Sequence, residues 1–241
     1  MVFAAALCLA GPVSFVAVDG LLIGKYADKK WSMVEGSDTY KGVIKLTSVE
    51  FDRLGKTFSG KGIGPNGQGD NFVDMEPFQP GIIVHGLSPK FPRKAVAIGK
   101  KNPTYLAVVQ EAIKKGGSTG KANIEAAYSV DLDGDGTKEI LLEARTPGIT
   151  LRDTYNGTIK NYTCVLLRCI KNGKPVTEVL EFSASKQGPT SFSYIRSIVD
   201  LDSDGRMEIV IGSDYYEGYG SAIFGYQKGV LKKIAENSAG A

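Results

Sequence analysis

Apolar and polar positions alternate over short runs along most of this chain, and glycine or proline ends many of those runs. A period of two puts apolar side chains on one face of a strand and polar ones on the other. Val43–Val49 (V-I-K-L-T-S-V), Gly81–His85 and Ala95–Ile98 read as strands on that basis. One segment changes period: Tyr105, Leu106, Val108, Val109, Ala112 and Ile113 fall at helical spacing. Asn102 offers a cap and Pro103 a first-turn proline. Lys114 and Lys115 suit the carbonyl end of a helix dipole, and Gly116-Gly117 stops the helix. The pattern predicts a helix with its apolar stripe laid on a sheet. Strand-like runs return at Ile124–Val130, Ile140–Ala144, Tyr162–Ile170, Pro175–Phe182, Ser191–Val199, Ile209–Ser213, Ser221–Gln227 and Val230–Ile234. Asn172-Gly173 is a strong two-residue hairpin signal, and Lys228-Gly229 stands at the corresponding place between the last two runs.

Two of the breaks between strands are acidic. Val130–Glu143 reads V-D-L-D-G-D-G-T-K-E-I-L-L-E, and 69 residues later Val199–Gly212 reads V-D-L-D-S-D-G-R-M-E-I-V-I-G. The same loop in the same strand–loop–strand context points to an internal duplication of roughly 70 residues. Asp131, Asp133 and Asp135 stand at loop positions 1, 3 and 5, Thr137 at 7 and Glu139 at 9. The second copy supplies Asp200, Asp202, Asp204, Arg206 and Glu208. Four carboxylates within nine residues repel one another unless a counter-ion sits among them. Calcium takes six to eight oxygen ligands, and a curled loop supplies them from alternate side chains. Gly136 and Gly205, at position 6, permit the bend. Position 7 contributes its backbone carbonyl, so Thr137 and Arg206 are both acceptable there. Magnesium wants stricter octahedral geometry and fewer protein ligands. A helix–loop–helix calcium site ends with glutamate at position 12, whereas Leu142 and Ile211 stand there in this chain. The loops are therefore clipped between strands, and two Ca2+ sites are expected.

The two loops resemble the calcium loops of FG-GAP and VCBS-type repeats, found in integrin-like β-propellers and many secreted bacterial proteins. The resemblance covers two windows of about 15 residues. It implies calcium in the turn between adjacent strands of a blade. By that resemblance Asp131, Asp133, Asp135, Thr137 and Glu139 form one ligand set, and Asp200, Asp202, Asp204, Arg206 and Glu208 the other. With only two repeats found, a complete propeller is not expected. The fold class expected is mainly β (α+β): antiparallel strand repeats with D-x-D-x-D-G calcium loops and at least one helix packed on a sheet.

Composition narrows the setting. Apolar content of 42% and charged content of 23% are those of a soluble globular protein, and 30 glycines favour turns and strands. Net charge is +3 with no basic stripe, so nucleic acid is not implied. The start, M-V-F-A-A-A-L-C-L-A-G-P-V-S-F-V-A-V, resembles a secretory signal segment, although no Lys or Arg precedes it. A first buried strand is the alternative. No later segment is apolar for the ~20 residues a membrane helix needs. The expected organisation is a signal segment at 1–18, an N-terminal strand-rich domain at 19–100, and a helix plus two repeats at 101–241. The expected location is secreted, periplasmic or cell-surface.

Smaller features bound the chemistry. Cys164 and Cys169 are five apart, which on one strand points them to opposite faces, so two buried thiols are expected rather than a bridge. Phe58–Asp70 holds a formal G-x-G-x-x-G at Gly62, Gly64 and Gly67, but Pro65 interrupts it and no helix pattern follows. It reads as a loop, not a nucleotide site. The single histidine, His85, excludes two-histidine zinc hydrolase sites, and no G-x-S-x-G elbow is present. Asp214, Tyr215, Tyr216, Glu217 and Tyr219 gather acids and aromatic rings after the second loop. They are candidates for ligand contact, for packing, or for acid–base work on a sugar. The expected function is a secreted calcium-binding protein of structural or adhesion-like binding type, with an extracellular polymer or another protein as partner. The alternative is an extracellular polysaccharide hydrolase using Asp214 and Glu217.

Overall fold

The computed structural model describes residues 13–36, 38–66, 69–152, 158–184 and 191–240. Residues 1–12, the larger part of the expected export segment with Cys8, lie outside the described residues.

The N-terminal strands are β1 (Ser14–Val18), β2 (Leu21–Ala27), β3 (Lys30–Met33), β4 (Tyr40–Val49), β5 (Leu54–Pro65), β6 (Asn71–Asp74) and β7 (Ile82–His85). They pair in the order β1-β7-β4-β5-β6-β2-β3, all antiparallel. β2 also pairs back onto β1, from Ser14↔Tyr26 to Val18↔Leu21, so six of the strands close into a ring. One apolar cluster takes Phe15 and Ala17, Leu22, Ile44 and Leu46, Ile63, Val73 and Ile83, at least one from each strand of the ring. That is the filled interior of a small barrel, and closure removes the exposed sheet edges.

Ser14–Val18, for which a first buried strand was the alternative expectation, is a strand of the barrel with Val16 and Ala17 fully buried. An uncharged apolar run is also what a strand covered on both faces looks like. The glycine-rich stretch from Phe58 is strand up to Pro65, where a loop was expected. A Cβ on Gly62 would collide with the Tyr40 carbonyl oxygen, and one on Gly60 would lie 2.8 Å from the Leu46 side chain. These glycines let β4 approach closely.

The rest of the chain forms β8 (Val96–Ala97), α1 (Pro103–Lys115), β9 (Ile124–Val130), β10 (Glu139–Arg145), β11 (Thr163–Lys171), β12 (Lys174–Ser183), β13 (Phe192–Val199), β14 (Glu208–Tyr215), β15 (Gly218–Gln227) and β16 (Val230–Gly240). One sheet has the order β12-β11-β10-β9-β8 and the other β13-β14-β15-β16. Strands β9–β12 and β13–β16 are thus two four-stranded meanders with the same connectivity. β8 pairs with β9, so Val96 and Ala97 join the sheet of the first meander.

The layers explain the apolar pattern. Val199, Leu201, Val210 and Ile223 of the second meander pack against Val16, Val18, Leu21 and Ile82 of the barrel. Its other face sets Ile209, Ile211 and Phe224 against Leu141, Val165 and Leu167 of the first meander. Covered on both sides, β14 reads I-V-I without alternation. The first meander is covered on its far face by α1, whose Val109 and Ile113 are fully buried against Ala127, Leu142 and Leu166. The Asn102 side chain accepts from the Thr104 amide at 2.9 Å, and Gly116 closes the helix. Cys164 faces the helix side and Cys169 the inter-sheet side of β11; both are free and buried. Among the described residues no helix is long and apolar enough to cross a membrane.

A buried carboxylate ties the two meanders. Glu143 on β10 accepts the Ile195 amide at 3.1 Å, beside the bulge that sets Arg196 outside the β13–β14 register. Burial pushes its carboxyl above the ordinary range, against the pull of the Ile195 amide. A raised folded pKa contributes stability below the unfolded value of about 4.3, lost as pH rises through the folded one. Glu143→Gln keeps an acceptor for Ile195 without the charge. It is expected to hold or gain stability at neutral pH and to flatten the pH dependence. Glu143→Ala leaves a buried amide unpaired and is expected to cost about 1–3 kcal/mol. Urea midpoints across pH 4–8 check both; equal losses in the two variants would refute the assignment.

Candidate metal centre

Each acidic loop joins the first two strands of its meander, and each is closed by the same pair. Val130 lies opposite Glu139, and Val199 opposite Glu208. The glutamate at position 9 turns back into the loop. Glu139 accepts the Leu132 amide at 2.9 Å, and Glu208 the Leu201 amide at 2.8 Å. Leu132 and Leu201, at position 2, are fully buried and pin each loop to an inter-sheet core. The aspartate at position 1 accepts the amide of the position-6 glycine, Gly136 or Gly205, at 3.1 Å in both copies. The aspartate at position 5 accepts the amide of position 7, at 2.6 Å for Asp135 with Thr137 and 2.8 Å for Asp204 with Arg206. Positions 4 and 6 are left-handed in both: Gly134 at φ +77° and Ser203 at +63°, Gly136 at +88° and Gly205 at +89°. Two stretches of chain with different side chains thus take one backbone course.

That course brings carboxylates together. Oxygens of Asp131, Asp133 and Asp135 lie within 4.8 Å of one another, as do oxygens of Asp200, Asp202 and Glu208. Either acidic group could hold a metal ion. Twice a calcium–oxygen distance is about 4.6–5.2 Å, so any two oxygens of such a trio are close enough to share one ion. One oxygen of Asp133, Oδ1, is buried without a hydrogen-bond partner, an acceptor that a cation would satisfy. The electrostatics agree. Burial, reinforced by Asp202, Asp204 and Asp200, raises the Glu208 carboxyl well above the ordinary range against the pull of the Leu201 amide. Burial raises Glu139 and Asp200 likewise. These are negative groups short of positive partners.

Each trio takes part of the expected ligand set. Glu139 lies outside the first, and Asp204 outside the second, where the Arg206 guanidinium is paired to it. Thr137 and Arg206 enter through their backbone amides, and the Arg206 side chain acts as a counter-charge.

Neighbouring units brace both loops through residues that the pattern did not mark. The Lys228 amide, in the β15–β16 turn, donates to Asp133 at 2.6 Å. Trp31 of β3 donates its indole N–H to Asp202 at 3.1 Å. Lys90 and Asp200 exchange two backbone hydrogen bonds, at 2.8 and 3.0 Å. Arg93 donates to the carbonyls of Asp131, Leu132 and Gly205, and so touches both loops. An open cleft of about 730 Å³ lies beside the second loop, lined by Tyr26, Trp31, Asp202, Glu208, Lys228 and Lys232 among others. These contacts join residues up to 171 positions apart, and no local pattern carries them.

The second candidate cluster is spread over one hairpin. Asp214 and Tyr219 face each other across β14 and β15, and Glu217 is exposed at the turn. Tyr215 donates to the Ala239 carbonyl at 2.9 Å, and Tyr219 to that of Asp19 at 3.1 Å. Asp214 accepts from Tyr194 at 3.3 Å, beside the Arg196–Asp19 ion pair. These two tyrosines fasten the hairpin to its neighbours. His85 is a strand residue whose Nδ1 lies 2.8 Å from the Lys45 carbonyl oxygen. Comparison with known proteins finds no family model, no curated protein and no solved structure that matches the chain.

The left-handed glycines give a direct test of the loop backbone. A Cβ on Gly136 or Gly205 would meet nothing within 4 Å, so the cost of alanine there is conformational alone. Gly136→Ala and Gly205→Ala are each expected to destabilise by about 1–2 kcal/mol. Gly99→Ala, equally unobstructed and not left-handed, is expected to change stability by less than about 0.5 kcal/mol. Chemical denaturation of the three variants measures this.

Proposed function

We propose that each loop binds a calcium ion and that the two ions stiffen the seam where barrel and meanders meet. The observation that carries this reading is the pair of carboxylate trios, each with its oxygens within 4.8 Å and built on the same backbone course. Carboxylate and carbonyl oxygens suit calcium or magnesium, with no thiol or imidazole to favour softer metals. Loops that fold on their own amides supply irregular, flexible oxygen cages, which calcium accepts more readily than magnesium. Asp131, Asp133 and Asp135 would hold one ion, and Asp200, Asp202 and Glu208 the other. The ion supplies positive charge; the chain's residues orient it and carry its effect into the cores through Leu132 and Leu201. The relation to FG-GAP and VCBS-type repeats belongs to the same proposal: each loop connects adjacent strands of a four-stranded antiparallel meander. On this reading the protein works outside the cytoplasm, where calcium is plentiful, as a structural or adhesion-like module for an extracellular polymer or protein.

The sole tryptophan makes the second site visible. Trp31 is bonded to Asp202, so calcium at that loop is expected to shift its fluorescence with a midpoint near 10⁻⁴–10⁻³ M, as in extracellular calcium modules. Asp202→Asn should abolish the shift. Saturation at 100 times the dissociation constant adds about 2.7 kcal/mol of stability per site, so calcium should raise the melting temperature and a chelator lower it. No uptake by either loop at ten millimolar calcium would sink the reading.

A further inference from the structure

We propose that Arg93 couples the two loops, so that they fill as one unit instead of two independent sites. This rests on the metal reading above. The guanidinium is a planar fork, and it is shared. Its Nε donates to the Asp131 carbonyl, and its Nη2 to the Leu132 carbonyl at 3.0 Å and the Gly205 carbonyl at 2.7 Å. Asp131 is a position-1 carboxylate of the first trio. Gly205 donates its own amide to Asp200, the position-1 carboxylate of the second. Each loop's leading ligand is therefore within one peptide of the same guanidinium. A second link runs alongside, from the Met207 amide to the Leu132 carbonyl at 2.8 Å.

Arg93 also accounts for a difference between the copies. Its Nη1 lies 3.1 Å from where a Cβ on Gly134 would sit. Position 4 of the first loop thus lies under the guanidinium, whereas the second loop carries Ser203 there, donating to the Ser88 carbonyl at 2.5 Å. An ion that orders one loop fixes the carbonyls that hold Arg93, and Arg93 in turn fixes the other loop. The second ion then meets a site whose ordering cost is already met, which is positive cooperativity.

The test is a two-site calcium titration by calorimetry, with Trp31 fluorescence reading the second loop alone. The full chain is used as wild type, Asp133→Asn, Arg93→Gln, Arg93→Lys and the double variants. Wild type is expected to bind with a Hill coefficient above 1. Asp133→Asn, which alters a carboxylate of the first trio and none of the second, is expected to weaken the second by about five-fold or more, the lower end of ordinary coupling. In the Arg93→Gln background that remote effect should vanish and the Hill coefficient fall to 1. Arg93→Lys should behave the same way, since an ammonium is a point charge that cannot replace the fork. A merely structural arginine would shift stability in these variants but leave the remote effect intact. If Asp133→Asn leaves the second loop's affinity unchanged in wild type, coupling is refuted while the metal sites stand. If the remote effect survives Arg93→Gln, it travels through Lys228 or Met207 and Arg93 is not its carrier. If neither loop takes up calcium, the underlying reading falls and the inference with it.

Discussion

Negative charge held by backbone amides is the constraint on which the C-terminal half depends. Eight carboxylates occupy two short loops, and most of their partners in the fold are N–H groups of the same loops rather than cations. Amides orient a carboxylate but do not cancel its charge. Burial, with the neighbouring aspartates adding to it, raises the carboxyls of Glu208, Asp200 and Glu139 above their ordinary range. The loops cannot relieve this by opening, because Leu132 and Leu201 anchor them to opposite faces of the second meander. The acidic chemistry is thus fixed by hydrophobic burial at the neighbouring positions of the chain.

Much of this was legible in the sequence, for reasons that differ between elements. The helix announced itself through period and caps because both are local, and it ends within a residue of where Lys114, Lys115 and Gly116 place its end. The cysteines were legible because a strand has a strict period of two: Cys164 and Cys169 do face opposite sides. The duplicated loops were legible because their conformation is dictated by their own residues. Barrel closure was not, since the β1–β2 and β1–β7 pairings depend on distant partners. The first strand stood only as an alternative, because an apolar run without polar punctuation is shared by a buried strand and a signal core. Arg93, Trp31 and Lys228 were hidden because a brace between loops leaves no periodic trace.

The acidic and aromatic hairpin shows the other side of this. Asp214, Tyr215, Glu217 and Tyr219 look in sequence like a site because polar and ring groups alternate at a turn. In the fold the Tyr215 and Tyr219 hydroxyls are spent on the carbonyls of Ala239 and Asp19, and Asp214 sits in a network with Tyr194, Arg196 and Asp19. Amphipathic rings are efficient at this work, covering apolar surface while satisfying a backbone acceptor. Composition does not show how far such groups are already engaged within the fold; the hydrogen-bond partners do.

The two loops are near copies but not equal, and the inequality can be weighed. Arg206 offers the second loop an internal cation, paired to Asp204 at the surface, while Lys138 in the first loop forms no ion pair among the described residues. An exposed pair of that kind contributes only about 0–1 kcal/mol. Asp200 and Glu208, by contrast, are almost fully buried with no cationic side chain bonded to them. Leaving buried charge uncompensated costs several kcal/mol per group, or forces protonation. The greater cost therefore lies with the buried pair, and Arg206 is too weakly held and too far out to discharge it. Surrendering Asp204 to an incoming ion loses little, and neutralising Asp200 and Glu208 recovers far more. Even in the copy that carries its own arginine, the acidic group of the loop could therefore hold a metal ion.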